Sequence, residues 1–121
     1  MGTYMNGDFA TKLAKVDLRA HQYRFVKLAT TDDVDIAGVG DRQYGVLQNA
    51  PNIGEKADVK VFRESLVEAV ELIAVNVLVT SDANGMAITA TTGDYVRGIC
   101  TKASTEAGII TIRLMESHKK L

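Results

Sequence analysis

The sequence predicts a mainly β protein, a compact antiparallel β-barrel or sandwich of about eight short strands with an extended N-terminal arm, and three observations predict it. Val, Ile and Thr supply 32 of the 121 residues against 7 for Phe, Tyr and Trp. That bias suits pleated surfaces packed by small branched side chains. Short apolar runs recur between turn signals, at the spacing typical of sandwiches and small barrels. Several runs alternate: Val59, Val61 and Arg63 face opposite Lys60 and Phe62, and Ile110, Ile112 and Leu114 face opposite Thr111 and Arg113. A period of two buries one face of each.

Taken in order, residues 1–16 show no sustained period, although Tyr4, Met5, Phe9 and Leu13 are apolar, and they read as an arm ordered by whatever receives it. The strand candidates follow: Arg24 to Leu28, Asp33 to Ala37, Gln43 to Gln48, Ala57 to Phe62, Val77 to Thr80, Met86 to Ala90, Tyr95 to Thr101 and Ile109 to Met115. Pro51, the one proline, sits in a loop expected to separate two halves of the domain. Asp82-Ala83-Asn84-Gly85 predicts a tight hairpin, with the Asp82 carboxylate accepting from the backbone two residues on. Thr92-Gly93-Asp94 and Ala107-Gly108 mark later turns in what reads as an antiparallel meander. One segment resists this pattern. Ser65-Leu66-Val67-Glu68 is a capping-box sequence, and Leu66, Ala69, Val70, Ile73 and Ala74 then fall on one helical stripe, so local evidence favours one short helix from Ser65 to about Val75. The organisation is thus an arm (1–16), one β domain (17–116) and a short basic tail (117–121).

Composition excludes several function classes. Lys plus Arg is 14 against 15 for Asp plus Glu, a net charge of −1, which leaves no basic stripe to neutralise phosphates and makes nucleic acid an unexpected partner. Stretches such as Leu72 to Ser81 are too short to cross a membrane, and the start of the chain has no apolar signal core. A soluble chain made in a reducing cytoplasm is expected, since the single cysteine, Cys100, rules out an internal disulfide.

The residues also give no constellation for catalysis, a cofactor or a metal. His21 and His118 read as solvated surface residues without an orienting carboxylate or cysteine motif, and Cys100 in its apolar strand reads as a small buried hydrophobe. Asp32-Asp33-Val34-Asp35 lacks calcium-loop spacing, which would need Asp or Asn at Ala37 and Glu near Tyr44. Gly38-Val39-Gly40-Asp41-Arg42-Gln43 begins like a dinucleotide fingerprint, but Gln43 replaces the third glycine and no helix pattern follows. No enzymatic activity, cofactor or small-molecule substrate is expected.

Four blocks in order carry a likeness. Asp17 to Leu28 (DLRAHQYRFVKL), Gly45 to Pro51 with Gly54-Glu55-Lys56-Ala57, Leu78 to Gly85 (LVTSDANG), and Ala90 to Ile99 (ATTGDYVRGI) together resemble the capsid decoration, or cement, proteins of tailed phages, some of them filed as head fibre proteins. The blocks span about residues 17 to 115. The resemblance implies a β-barrel or sandwich that docks on the outer surface of an icosahedral capsid, as homotrimers, and clamps neighbouring major capsid proteins together. It implies synthesis in the bacterial host cytoplasm and residence on the virion. Tyr4, Met5, Phe9 and Leu13 are then the candidate partner-binding residues, since an extended arm gains specificity from a few apolar side chains. The alternative is a small-ligand or carbohydrate-binding β module on the virion surface, against which the few aromatics argue. The resemblance also makes Ser65 to Val70 a strand, against the helical pattern, and it is the reading followed. Where the family has a Gly-Asp turn this chain has Val75-Asn76, of which Asn76 tolerates a left-handed backbone.

Overall fold

A computed structural model describes residues 9–104 and 108–120, apart from the side chain of Ser117. The ten strands among the described residues close into two five-stranded barrels in tandem. The first contains β1 (Phe9–Ala14), β2 (Phe25–Leu28), β3 (Asp33–Ile36), β4 (Gly45–Leu47) and β5 (Lys56–Lys60). The second contains β6 (Glu64–Ala69), β7 (Leu78–Ser81), β8 (Ala87–Thr89), β9 (Tyr95–Lys102) and β10 (Gly108–Lys119). No helix occurs among the described residues.

The two barrels repeat one topology. In each, the first strand pairs in parallel with the third and antiparallel with the fifth, while the second pairs antiparallel with the third and fourth, and the fourth with the fifth. Register repeats as well: Phe25 faces Val46 and Val26 faces Gly45 in one barrel, and Leu78 faces Ile99 and Val79 faces Gly98 in the other, each residue 53 positions after its counterpart (78 against 25, 98 against 45). The turn before β4 recurs before β9. Ala37-Gly38-Val39-Gly40-Asp41 and Ala90-Thr91-Thr92-Gly93-Asp94 both place glycine at positive φ (82° and 92°). In both, the aspartate accepts a 2.8 Å hydrogen bond from the amide three residues back. Tyr23 and Asn76, also 53 apart, both take left-handed φ (65° and 75°), and their amides bond Leu47 O and Cys100 O.

Gly45 and Gly98 are counterparts for a packing reason. A Cβ on Gly45 would collide with the carbonyl oxygen of Lys60 on β5, and one on Gly98 would lie 2.8 Å from Ile112 Cδ1 and 3.0 Å from Arg113 O on β10. Only glycine lets the fourth and fifth strands approach this closely.

Each barrel has an apolar interior, Leu18, Val26, Val34, Leu47 and Val59 in the first and Val67, Val79, Cys100, Ile110 and Ile112 in the second. Phe25, Ala37 and Val46 leave the first barrel on its outer side and join the core of the second. β4 and the Phe25–Val26 half of β2 are therefore buried on both faces, and fully burying Phe25 alone contributes on the order of 2–3 kcal/mol.

Several expectations change. All eight strand candidates match strands; the two additional ones, β1 and β6, are the first strand of each barrel. Phe9–Ala14, assigned from sequence to the arm, pair with β5 and β3, so the barrel begins inside residues 1–16. Glu64–Ala69 alternate buried and exposed, with Val67 at 0% and Leu66 at 42% exposure, so the capping-box helix gives way to the strand that the resemblance implied. Ser65 Oγ, the expected cap, instead donates to Leu66 O. The connectivity is not a simple antiparallel meander, because β1·β3 and β6·β8 are parallel. Pro51 lies within the first barrel, between β4 and β5, while the halves divide at residues 61–63. β10 continues to Lys119, pairing with Tyr95, so residues 117–119 of the basic tail are strand. The Asp82 hairpin forms as expected, with Oδ1 accepting from Asn84 N at 2.8 Å and from Met86 N at 2.9 Å.

Candidate functional site

The join between the barrels holds a buried polar seam. Arg97, on the outer side of β9, is 7% exposed. Its Nε donates to Gln43 O at 3.2 Å, and its Nη2 to Tyr44 O at 2.9 Å and Val61 O at 2.8 Å. Nη1 donates to Met115 O. One guanidinium thus ties the segment entering β4, the connection between the barrels, and β10. Burial pushes its pKa below the ordinary arginine value, yet arginine keeps its proton, and five rigid donors can serve several carbonyls at once. Gln43, 2% exposed, reaches across the same seam with Nε2 to Thr80 Oγ1 (3.1 Å), Ser81 Oγ (3.2 Å) and Tyr95 O (3.2 Å). Ser81 Oγ donates to Gly38 O at 3.0 Å, and Arg24 pairs with Glu68 at 3.0 Å.

Beside this seam lies a groove of about 730 Å³ lined by Lys60, Phe62, Arg63, Glu64, Thr101, Arg113 and Leu114. Its base is the short chain between β5 and β6. Val61 is turned inward at 6% exposure, while Phe62 stands 53% exposed. Arg63 takes a left-handed φ of 67°, uncommon for a residue with a Cβ, and its carbonyl accepts from Leu114 N at 2.7 Å. Thr101 Oγ1 donates to the Glu64 carboxylate at 2.9 Å, and Arg113 lies opposite Glu64 in the β6·β10 ladder. The lining offers three cations, one carboxylate and an exposed phenyl ring.

Of the candidate partner-binding residues, Tyr4 and Met5 lie outside the described residues. Phe9 and Leu13 share the outer face of β1, Leu13 at 42% exposure. Phe9 borders the groove, since Lys60 Nζ sits 5.0 Å from the centre of its ring.

The other singled-out residues fall elsewhere. Asp32 and Asp33 sit in a turn where Thr30 Oγ1 accepts from both of their amides, and Asp35 Oδ1 accepts from Ile36 N. No group of three or more His, Cys, Asp or Glu side chains that could hold a metal occurs among the described residues. Gly38 to Gln43 form the repeated turn rather than a nucleotide loop, with the Asp41 carboxylate also 3.0 Å from Lys27 Nζ. Cys100 is fully buried and burial pushes its thiol pKa up. His118 is exposed, but His21 departs from the expectation of a solvated ring: it is half-buried, with Nδ1 enclosed and unpartnered. Arg97, Gln43 and the groove were missed. The available signal was the recurrence of Ala-x-x-Gly-Asp 53 residues apart (37–41 and 90–94), which marks two barrels and so a seam between them.

No family model and no curated protein matches the sequence. Among solved structures, the N base of head fibre gp8.5 of bacteriophage phi29 superposes with a TM-score of 0.73 over 93% of this chain and 98% of that one, at 19% sequence identity. The chain shares that protein's fold. The head-fibre-base fold thus extends over both barrels and the seam between them.

Proposed function

We propose that this chain is a structural protein of a phage virion that binds the outer surface of the icosahedral capsid and stabilises it by clamping neighbouring major capsid proteins, as homotrimers. The observation that carries this reading is the head-fibre-base fold, shared over 93% of the chain. The four sequence blocks between residues 17 and 115 support it independently. A clamp on the outside of a shell uses rigid recognition surfaces and no catalytic group, which suits two closed barrels locked by a buried arginine. On this reading Tyr4, Met5, Phe9 and Leu13 contribute partner contacts, Phe9 and Leu13 from the outer face of the first strand. Trimers on the shell follow the ring logic in which one surface of each copy meets a different surface of the next.

The test is to add the purified chain to mature capsids of its phage lacking it and to image them. Saturable binding with a copy number that is a multiple of the three-fold sites supports the proposal. Isolated monomers or dimers at other lattice positions remove the trimer, and failure to bind removes the capsid reading.

A further inference from the structure

We infer that the groove at the seam receives an extended acidic segment of a partner protein, with one apolar side chain of that segment seated against Phe62. On the reading above, that partner is the shell subunit, and in that respect the inference rests on it.

Charge complementarity is the first argument. The whole chain carries a net charge of −1, yet Lys60, Arg63 and Arg113 gather in one groove against a single carboxylate, Glu64. Concentrating cations in a recess focuses their field and favours an anionic occupant. The second argument is the ring. Phe62 is one of only three phenylalanines, and it stands 53% exposed while its chain neighbour Val61 is buried. An exposed aromatic among cations is the composition of an interface anchor rather than of a solvated surface. The third is rigidity. Arg97 bonds the carbonyls of Val61 and Met115, next in sequence to Phe62 and Leu114, so the groove is held in shape before anything binds.

The closed topology decides how the occupant is held. Each barrel pairs its first strand with its last, so every described strand already has a neighbour on both sides, which favours side-chain contacts over an added β-strand. The segment is therefore gripped through its side chains, carboxylates toward Lys60 and Arg113 and an apolar group on Phe62. Nucleic acid fits less well, because three cations gathered in one recess form no stripe along which a phosphate backbone could run.

Two readouts on the full chain test this. The first is titration of isotope-labelled protein with acetyl-Glu-Glu-Phe-Glu-Glu-amide, followed by amide chemical shifts, with acetyl-Lys-Lys-Phe-Lys-Lys-amide and a short oligothymidylate as comparison probes. The expected result is shifts at Phe62, Arg63, Thr101 and Arg113 with the acidic peptide alone, lost in the double variant Lys60→Gln, Arg113→Gln and in Phe62→Ser. The second is capsid binding, expected to be weakened about tenfold or more in both variants while their melting temperatures stay that of the intact chain. Shifts elsewhere, equal shifts with the basic peptide, stronger shifts with the oligonucleotide, or full-strength capsid binding by both variants overturn the inference. If the peptide binds as expected but the unaltered chain does not bind capsids, the groove stands and the capsid reading falls.

Discussion

Arg97 shows how one residue can join two barrels. Four backbone carbonyls converge on its guanidinium in a site where water cannot replace it. Replacing it with methionine keeps much of the volume but strips donors from buried oxygens, each worth about 1–3 kcal/mol. Arg97→Met is expected to destabilise by at least about 3 kcal/mol, a fall of roughly 10 °C in Tm readable by calorimetry. Asp41 acts on a different axis. The Gly38 amide and then Lys27 hold its carboxyl pKa below the ordinary 3.8. Because the folded state has the lower pKa, this stabilisation is complete above about pH 5 and is lost as the pH falls through and below the ordinary aspartate range. Asp41→Asn should therefore lose stability at pH 7 and show a shallower decline on acidification, measured as Tm against pH from 7 to 2.

At the scale of elements, what the sequence revealed depended on what faced the barrel interior. Strands with Val, Ile or Leu turned inward, such as β5 and β10, were legible from alternation. β1 and β6 were not, because small residues dominate their inward positions, Ala10 and Ala14 in one and Ser65 and Ala69 on either side of Val67 in the other, too few large side chains to register as an apolar stripe. The same position of each barrel was missed for the same reason. The seam was illegible because Arg97 and Gln43 look like surface residues until a second barrel covers them, whereas the Asp82 hairpin was legible because its chemistry is local. Two measurements probe these elements. Gly45→Ala meets a backbone oxygen, which must move, while Gly98→Ala meets first the flexible end of Ile112. The former should be the more damaging in denaturant melts, by about 1 kcal/mol or more. Deleting residues 1–8 should leave the melting transition in place and, on the proposed function, weaken capsid binding about tenfold. Deleting residues 1–14 also removes β1, which opens the first barrel, and should abolish its cooperative unfolding in hydrogen exchange.

The whole molecule is one barrel topology built twice, with turns and close approaches at matching positions. Val26 and Val79, Ala37 and Ala90, Gly40 and Gly93, Asp41 and Asp94, and Gly45 and Gly98 are identical pairs 53 apart, and most serve a turn, a core position or a close approach. At the glycine pairs the backbone requirement is explicit, positive φ at Gly40 and Gly93 and a close strand approach at Gly45 and Gly98. Among the described residues stability is distributed over two apolar cores and one seam, and no group of three or more His, Cys, Asp or Glu side chains that could hold a metal occurs. Melting temperature and capsid binding should accordingly be unchanged by chelator or ATP; a drop of several degrees on chelation would show that the Asp32, Asp33 and Asp35 carboxylates hold a cation.

The sharing of Phe25, Ala37 and Val46 with the second core also has a temporal side. During synthesis the first barrel can close only after β5 has emerged, since β1 waits for a partner at Lys56–Lys60, and the second only after β10. Between those two moments the outer side of β2 and β4 has no cover, and the nascent chain displays a large aromatic and a valine to whatever is nearby. Such an interval favours chaperone capture or premature association. Pairings that span nearly a whole barrel also fold slowly, because distant segments must meet before any contact rewards them. A translation pause once β5 has left the ribosome would lengthen that exposure, whereas swift passage through β6 to β10 shortens it, so the yield of native protein is expected to rise with the rate at which the second half of the message is read.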